Sequence, residues 1–167
     1  MKTLIFTTMI TVFFVLSTNR IQAQTALTEV DQIKFMENFW GSWTAEWGKD
    51  TFLTINARPF GKGSERDWTL STKGKIFDTG RMLYGYDAVN NNLVEVNLYK
   101  STPNIILNAW WATSKTTAEG VPYKDIANPK NAPFRFSCDV KSPDLFVTTY
   151  FMNNKVVGTY TFTRVKK

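Results

Sequence analysis

The feature that most constrains this chain is a long series of short segments in which apolar and polar residues alternate. The series begins at Trp43 and continues to Val165, and its runs are rich in Val, Ile, Thr, Tyr, Phe and Trp. Gly, Pro and Asn separate the runs, as at residues 153–154. Closing such a series removes exposed sheet edges. We therefore predict an all-β fold, an up-and-down antiparallel β-barrel of about nine or ten strands.

One helix is predicted in front of the first strand, over residues 29–38. Apolar residues recur there at helical spacing from Val30 to Trp40. Thr28 stands where a side chain caps the first turn of a helix. Gly41 then allows the sharp change of direction that leads into the first strand.

The N-terminal residues have the pattern of an export signal. Lys2 precedes an apolar run at residues 4–16, and a small residue, Ala23, stands at a plausible cleavage point. The run is too short to be a comfortable membrane span, and no longer apolar run follows it. We predict a signal peptide over residues 1–23 and a single domain over residues 24–167. The mature protein is then periplasmic or extracellular, with no membrane span.

Composition excludes several kinds of site. The chain has no His and a single Cys, Cys138, so an intrachain disulfide is impossible and the commonest base and metal ligand are missing. We expect Cys138 to be a buried small side chain, and we predict no metal and no cofactor. Removal of Lys2 and Arg20 lowers the net charge from +6 to +4, and the remaining charges are scattered. Nucleic-acid binding is therefore not predicted.

The C-terminal hairpin gives a prediction of which side chains face inward. A two-residue turn at residues 153–154 pairs Phe151 with Val156 and Val147 with Tyr160. These side chains are apolar or aromatic and share one face, which we predict to be the inside of the barrel.

A second hairpin is predicted around residues 90–92. A three-residue loop there pairs Tyr86 with Val96 and Tyr84 with Leu98. A two-residue loop would instead place a carboxylate opposite Tyr86. We therefore expect the three-residue loop, with these four side chains inside the barrel.

The start of the first strand resembles a known superfamily. A helix, then Gly41-Ser42-Trp43, then a closed meander is similar to the lipocalin and fatty-acid-binding proteins, the calycin superfamily. That resemblance implies that Arg164, near the C-terminus, packs across Trp43 and closes one end of the barrel. Phe60-Gly61-Lys62-Gly63 and Gly85-Tyr86-Asp87 resemble more closely a bacterial, exported, lipocalin-like group of unknown function.

The barrel interior is the expected binding site, for a small hydrophobic or amphipathic molecule. Trp110 and Trp111 are adjacent, so one must face inward and the other outward. Residues 114–133 do not alternate and contain several Pro, which predicts a long loop that could gate the barrel mouth. The predicted ligand-binding residues are inner-face apolar and aromatic side chains: Trp68, Met82, Tyr84, Tyr86, Leu98, Phe136, Phe151 and Tyr160.

Two other functions remain open. One is an enzyme of the cyclase, isomerase or decarboxylase type that acts through a buried carboxylate and a Tyr. The other is an envelope interaction protein whose barrel is filled by its own side chains. The residues favour binding over catalysis, and they do not define an oligomeric state. The polar pairs that share a strand face are Glu65 with Asp67, Arg81 with Asp87, and Glu95 with Asn97.

Overall fold

The protein is a closed barrel of ten antiparallel strands, described by a computed structural model over residues 30–166. Each strand pairs with its neighbours in the chain, and the last strand pairs with the first. This confirms the predicted up-and-down barrel. The predicted signal peptide lies outside the described residues. The strands are β1 (Gly41–Gly48), β2 (Thr51–Phe60), β3 (Gly63–Thr72), β4 (Lys75–Asp87), β5 (Asn92–Tyr99), β6 (Ile105–Ala112), β7 (Thr117–Pro122), β8 (Phe134–Ser142), β9 (Leu145–Met152) and β10 (Lys155–Arg164).

A short helix, α1 (Gln32–Glu37), lies across one end of the barrel. Asp31 caps it by accepting a hydrogen bond from the backbone N–H of Lys34 at 3.0 Å. The predicted cap, Thr28, lies outside the described residues. Gln32 is buried, and its side-chain amide donates to the carbonyl of Ala112 and accepts from the backbone N–H of that residue. These two bonds fix the helix against the end of β6.

The two ends of the barrel are therefore different. We call the end under α1 the closed end; the connections at residues 61–62, 88–91, 113–116 and 143–144 lie there. We call the opposite end the open end; the connections at residues 49–50, 73–74, 100–104, 123–133 and 153–154 lie there. Within the described part of the chain, no α-helix covers the open end.

The predicted pairing of the C-terminal hairpin is correct only next to its turn. Phe151 lies opposite Val156 as expected, but a bulge follows before Gly158. The extra residue shifts the phase, so Tyr160 lies opposite Thr148 and not Val147. The predicted inward orientation of Phe151 is therefore wrong, because the face that turns inward on β9 is the one that carries Thr148.

The predicted β4–β5 pairing is also wrong. The loop contains four residues, 88–91, because Asp87 pairs with Asn92. Asp87 accepts hydrogen bonds from the backbone N–H groups of residues 89 and 90 and from the Asn90 side chain, and these bonds hold the loop in shape. Tyr84 consequently lies opposite Glu95, and Leu98 points outward.

The segment 114–133 is more regular than predicted. It contains β7, which pairs with β6 and β8 and completes the wall, followed by two short 3-10 helices, Tyr123–Asp125 and Pro129–Asn131. Trp111 faces outward and packs against Val121 and Ala132. The outward Trp therefore anchors this segment on the barrel.

Candidate functional site

The barrel encloses a cavity of about 570 Å³. The barrel is therefore not filled by its own side chains, and the volume lies in the range of small-molecule sites. Of the eight predicted ligand-binding residues, five line the cavity: Trp68, Met82, Tyr84, Phe136 and Tyr160.

The other three predicted residues do not line it. Tyr86 shares the face of Tyr84 but lies at the closed end, where its exposed hydroxyl donates to Asn91 at 3.0 Å. Leu98 is exposed on the outer surface of β5. Phe151 lies outside, under the guanidinium of Arg135 at 5.7 Å. The two register errors described above account for Leu98 and Phe151, while Tyr86 lies too near the strand end to reach the cavity.

Trp43 and Arg164 seal the closed end. The Arg164 guanidinium carbon lies 4.2 Å from the centre of the Trp43 ring, a cation–π geometry. The same guanidinium donates to the carbonyls of Trp40 at 2.5 Å and Pro143 at 2.9 Å. Gly41 has a φ of +114°, and a Cβ there would lie 2.4 Å from Nη1 of Arg164. The Gly-x-Trp motif thus leaves the space in which the arginine packs.

One side of the cavity, on strands β3 to β6, carries a buried hydrogen-bond network around Glu95. The side chain is 4% exposed. Its Oε2 accepts from the hydroxyl of Tyr84 at 2.6 Å and from Nε1 of Trp110 at 2.8 Å. Its Oε1 accepts from the Asn108 amide at 3.0 Å. A buried acid is thereby supplied with three donors, which offset its loss of hydration.

A second charged group, Arg66, lies on the same side of the cavity. Its guanidinium carbon is 3.8 Å from the centre of the Tyr84 ring and 5.1 Å from that of Phe39. Within residues 30–166 it forms no ion pair, and its buried Nε has no hydrogen-bond partner. A lining guanidinium without a carboxylate partner is unusual, because burial of a charge is costly unless it is paired. We call Arg66, Tyr84, Glu95, Asn97 and Asn108 the polar wall.

The facing side, on β8 to β10 and β1, is aromatic. Trp47 stacks on Tyr160 with ring centres 3.8 Å apart, and Tyr150 packs edge-on against both. The hydroxyls of Tyr150 and Tyr160 have no hydrogen-bond partner among the described residues. We call Trp47, Phe134, Phe136, Tyr150 and Tyr160 the aromatic wall.

Burial controls the titration of the cavity residues. It raises the pKa of Tyr84 well above its usual range; Arg66 offsets part of this effect, and the negative charge of Glu95 adds to it. Burial also raises the pKa of Tyr150 above its usual range, and the negative charge of Glu95 adds a smaller increase. Burial raises the pKa of the Cys138 thiol to about 12. Both phenols and the thiol are therefore protonated at neutral pH, and Cys138 is not a nucleophile there.

Sequence reasoning placed some of these groups and missed others. The sequence places Glu95 and Asn97 on one strand face, and in the structure both side chains line the cavity. Asn97 accepts from Nε1 of Trp68 at 3.1 Å. Glu65 and Asp67 lie outside in ion pairs with Arg58. Several cavity residues were not predicted, and Tyr150 is one of them because the bulge before Gly158 turns its face of β9 inward. Others that matter for the site are Trp47, Arg66 and Asn108.

Comparisons with known proteins do not assign the chain to a family. No protein-family model matches the chain, and no curated protein matches its sequence. Within residues 30–166, no three His, Cys, Asp or Glu side chains lie close enough together to hold a metal ion. In the same range, no helix has the length and apolar character needed to cross a membrane.

Proposed function

We propose that this protein is an exported, lipocalin-like binding protein that encloses one small amphipathic molecule in its barrel. The observation that carries the proposal is the cavity of about 570 Å³ with a polar wall facing an aromatic wall. An apolar ligand body on the aromatic wall would gain roughly 25 cal/mol for each Å² removed from water. Its polar end would meet the hydrogen-bonding groups of the other wall.

Arg66 suggests that the polar end of the ligand is negatively charged. The two charged groups on the polar wall differ in their partners. Glu95 is satisfied by three donors, whereas Arg66 contacts the rings of Tyr84 and Phe39 and has no ion pair within the described residues. A carboxylate, sulfate or phosphate group on the ligand would supply the missing partner through charge-assisted hydrogen bonds. The ring of Tyr84, held by Glu95, would keep the guanidinium in position.

A series of matched ligands tests this assignment. We would titrate the purified protein with a medium-chain carboxylate, the alcohol of the same chain and the amine of the same chain, and follow Trp fluorescence. We expect the carboxylate to bind most tightly. Arg66→Met should weaken carboxylate binding by at least about tenfold, because a hydrogen bond to a charged group contributes about 1.5–3 kcal/mol. The affinity for the alcohol should be unchanged.

The control is Arg58→Met. Arg58 lies on the neighbouring strand β2, but it is exposed on the outer surface and paired with Glu65 and Asp67. Its replacement should leave the affinity for every ligand unchanged. If Arg66→Met affects the alcohol as much as the carboxylate, Arg66 shapes the cavity and does not bind an anion.

The natural ligand can be sought directly. Native mass spectrometry of protein from its own source, before and after gentle organic extraction, should reveal a discrete extractable mass. Trp68→Ala should then weaken rebinding of that molecule at least about tenfold, since it removes a large lining side chain. Unchanged affinity would remove Trp68 from the binding site.

A second candidate is acid–base catalysis on the same wall. The short hydrogen bond between Tyr84 and Glu95, buried beside the cavity, favours it. The three donors already on Glu95 count against it, because they occupy three of the roughly four acceptor positions of the carboxylate and leave little room for a substrate proton. A bell-shaped pH–rate profile that disappears in Glu95→Gln would support an enzyme; turnover that survives the substitution would rule Glu95 out.

Two parts of the proposal rest on different observations. The lipocalin-like assignment is supported by the helix across one end of the barrel and by Arg164 stacked on Trp43. Export is supported by the sequence of residues 1–23 alone. Edman sequencing of the mature protein checks it: a new N-terminus close to residue 24 is expected, and a retained Met1 would refute it.

A further inference from the structure

The open end of the barrel is surrounded by exposed apolar side chains. Isolated exposed apolar residues are ordinary, but a group of them around one opening marks an interaction site. Each of those named here is between 42% and 66% exposed. We call the group the apolar rim: Ile76, Phe77, Ile105, Ile106, Val156 and Val157.

The rim follows from the topology of the strands. Its three pairs come from the first residues of β4, β6 and β10, all of which begin at the open end. The pairs are therefore distributed around the mouth. Ile106 and Val157 also line the cavity, so the apolar surface is continuous from the outside of the mouth to the interior.

Lysines accompany the apolar rim. The open-end hairpins carry Lys49, Lys73, Lys75, Lys100 and Lys155, against the carboxylates Asp50 and Asp78. Within residues 30–166, none of these lysines forms an ion pair. These hairpins thus carry five lysines against two carboxylates, an excess of positive charge at the open end.

The closed end contrasts with this arrangement. There, Lys141 pairs with Asp139, and Arg164 and Lys166 pair with Asp144. Lys62 and Lys115, on connections at the same end, form no ion pair within residues 30–166, but three cations there have a carboxylate partner, whereas none of the lysines on the open-end hairpins has one.

We propose that the open end docks on an anionic lipid bilayer. The apolar rim would enter the boundary between head groups and acyl chains, and the lysines would lie against lipid phosphates. Charge complementarity decides between occupants: a second copy docked mouth to mouth would bring two sets of unpaired lysines together. The cavity would then face the membrane, from which an amphipathic molecule could enter it.

This inference goes beyond the proposed function and does not depend on it. Docking is measured with bare vesicles and no added ligand. A protein that binds vesicles but takes up no amphipathic molecule would retain the docking surface and lose the carrier function, so the two failures are distinguishable.

The test is cosedimentation of the full mature chain with vesicles. One set is pure phosphatidylcholine, and in the other about a third of the lipid is phosphatidylglycerol. We expect binding to the anionic vesicles only, and its reduction by high salt. Lys73→Gln with Lys75→Gln should weaken the partition coefficient about tenfold or more, since each lysine near the surface contributes about 1 kcal/mol. Ile76→Ser with Phe77→Ser should weaken it at least as much.

The matched control lies on the hairpin at the closed end. Phe60 is 64% exposed and stands beside Lys62, much as Phe77 is 59% exposed and stands close to Lys75. Phe60→Ser with Lys62→Gln should leave vesicle binding unchanged, and circular dichroism should show every variant folded.

Three results would overturn the proposal. They are equal binding to neutral and anionic vesicles, an equal loss in the Phe60 and Lys62 control, and a concentration-dependent dimer in light scattering that the rim substitutions abolish. The last result would assign the rim to a second copy of the chain.

Discussion

Both ends of this barrel carry a tryptophan of β1, but one end is sealed and the other is open. At the closed end, Trp43 is 1% exposed beneath Arg164, and the helix seals the interior. At the open end, Trp47 of the same strand is partly exposed and stacks on Tyr160 at the edge of the cavity. The difference indicates that the packing which holds the barrel together is separated from the surface available to partners. Substitutions at the two ends should therefore have different consequences.

The largest expected effect is at Trp43. Trp43→Ala should lower the free energy of unfolding by about 3–5 kcal/mol, because it leaves a cavity under Arg164 and removes edge contacts with Phe146. Trp47→Ala should cost less than about half of that, since the indole is only partly buried and loses mainly its stacking on Tyr160. Guanidinium denaturation of both variants measures the difference. Equal losses would show that the open end is as structural as the closed end.

Substitution of one glycine at each end, Gly41 and Gly158, makes the same comparison of stability. Gly41→Ala should cost about 1–3 kcal/mol, because alanine must adopt a left-handed backbone while its methyl displaces Arg164. At Gly158, a Cβ would lie 2.9 Å from the ring of Tyr160, a side chain at the cavity edge. We expect Gly158→Ala to change stability by less than about 1 kcal/mol.

We expect the opposite order when ligand affinity is measured for Gly41→Ala and Gly158→Ala. Gly158→Ala should reduce it, since the displaced Tyr160 ring takes up cavity space, whereas folded Gly41→Ala should retain it. Thermal denaturation followed by Trp-fluorescence titration measures both quantities. A reversal of either order would contradict the division between the ends.

Thiol chemistry compares the interior with the open end. Cys138 is buried with a pKa of about 12, whereas Val157→Cys would place a thiol at a position that is 60% exposed. At neutral pH the new thiol should react with iodoacetamide at least about a thousandfold faster, given an ordinary thiol pKa near 8.5. Its rate should level off above that pH, while the rate at Cys138 should keep rising toward pH 12. Fast labelling of Cys138 in the unaltered chain would mean that the interior opens readily.

The smallest expected effect concerns the apolar rim. Phe77→Ser and Phe60→Ser, at opposite ends, should each change the free energy of unfolding by no more than about 0.5 kcal/mol, because both rings are largely exposed. Thermal denaturation of the two variants checks this. A marked loss in Phe77→Ser alone would mean that its ring packs on the barrel and is not free to contact a partner.

The barrel was predictable from the sequence because alternation and turn residues recur along nearly the whole chain. Details that depend on a single residue were not. The bulge before Gly158 reversed the assignment of inward and outward faces on β9. In β7, Gly120 resembled a turn residue, yet it lies within the strand and leaves room for the ring of Phe136, which a Cβ would meet at 2.0 Å.

The polar wall was the hardest part of the site to predict. From the sequence we reject a register that places a carboxylate opposite Tyr86, yet the structure places Glu95 opposite the neighbouring inward residue, Tyr84. A buried carboxylate is favourable there because Trp110 and Asn108, on a third strand, also donate to Glu95. Arg66 gave no signal because a single Arg in a strand is usually on the surface. Only the three-dimensional arrangement brings these residues together.

The seam between β1 and β10 has a consequence for how the protein is made. Its ladder is short, with Trp43 opposite Arg164 and Thr44 opposite Thr163. The hydrogen bond from Arg164 to Trp40 joins residues 124 positions apart, so closing the seam carries a large loop-closure entropy. During synthesis the first nine strands can pair in sequence, but the barrel stays an open sheet until the last one emerges. The closed barrel is thus completed in a single late step, and a chain that stops before Arg164 should expose an aggregation-prone edge.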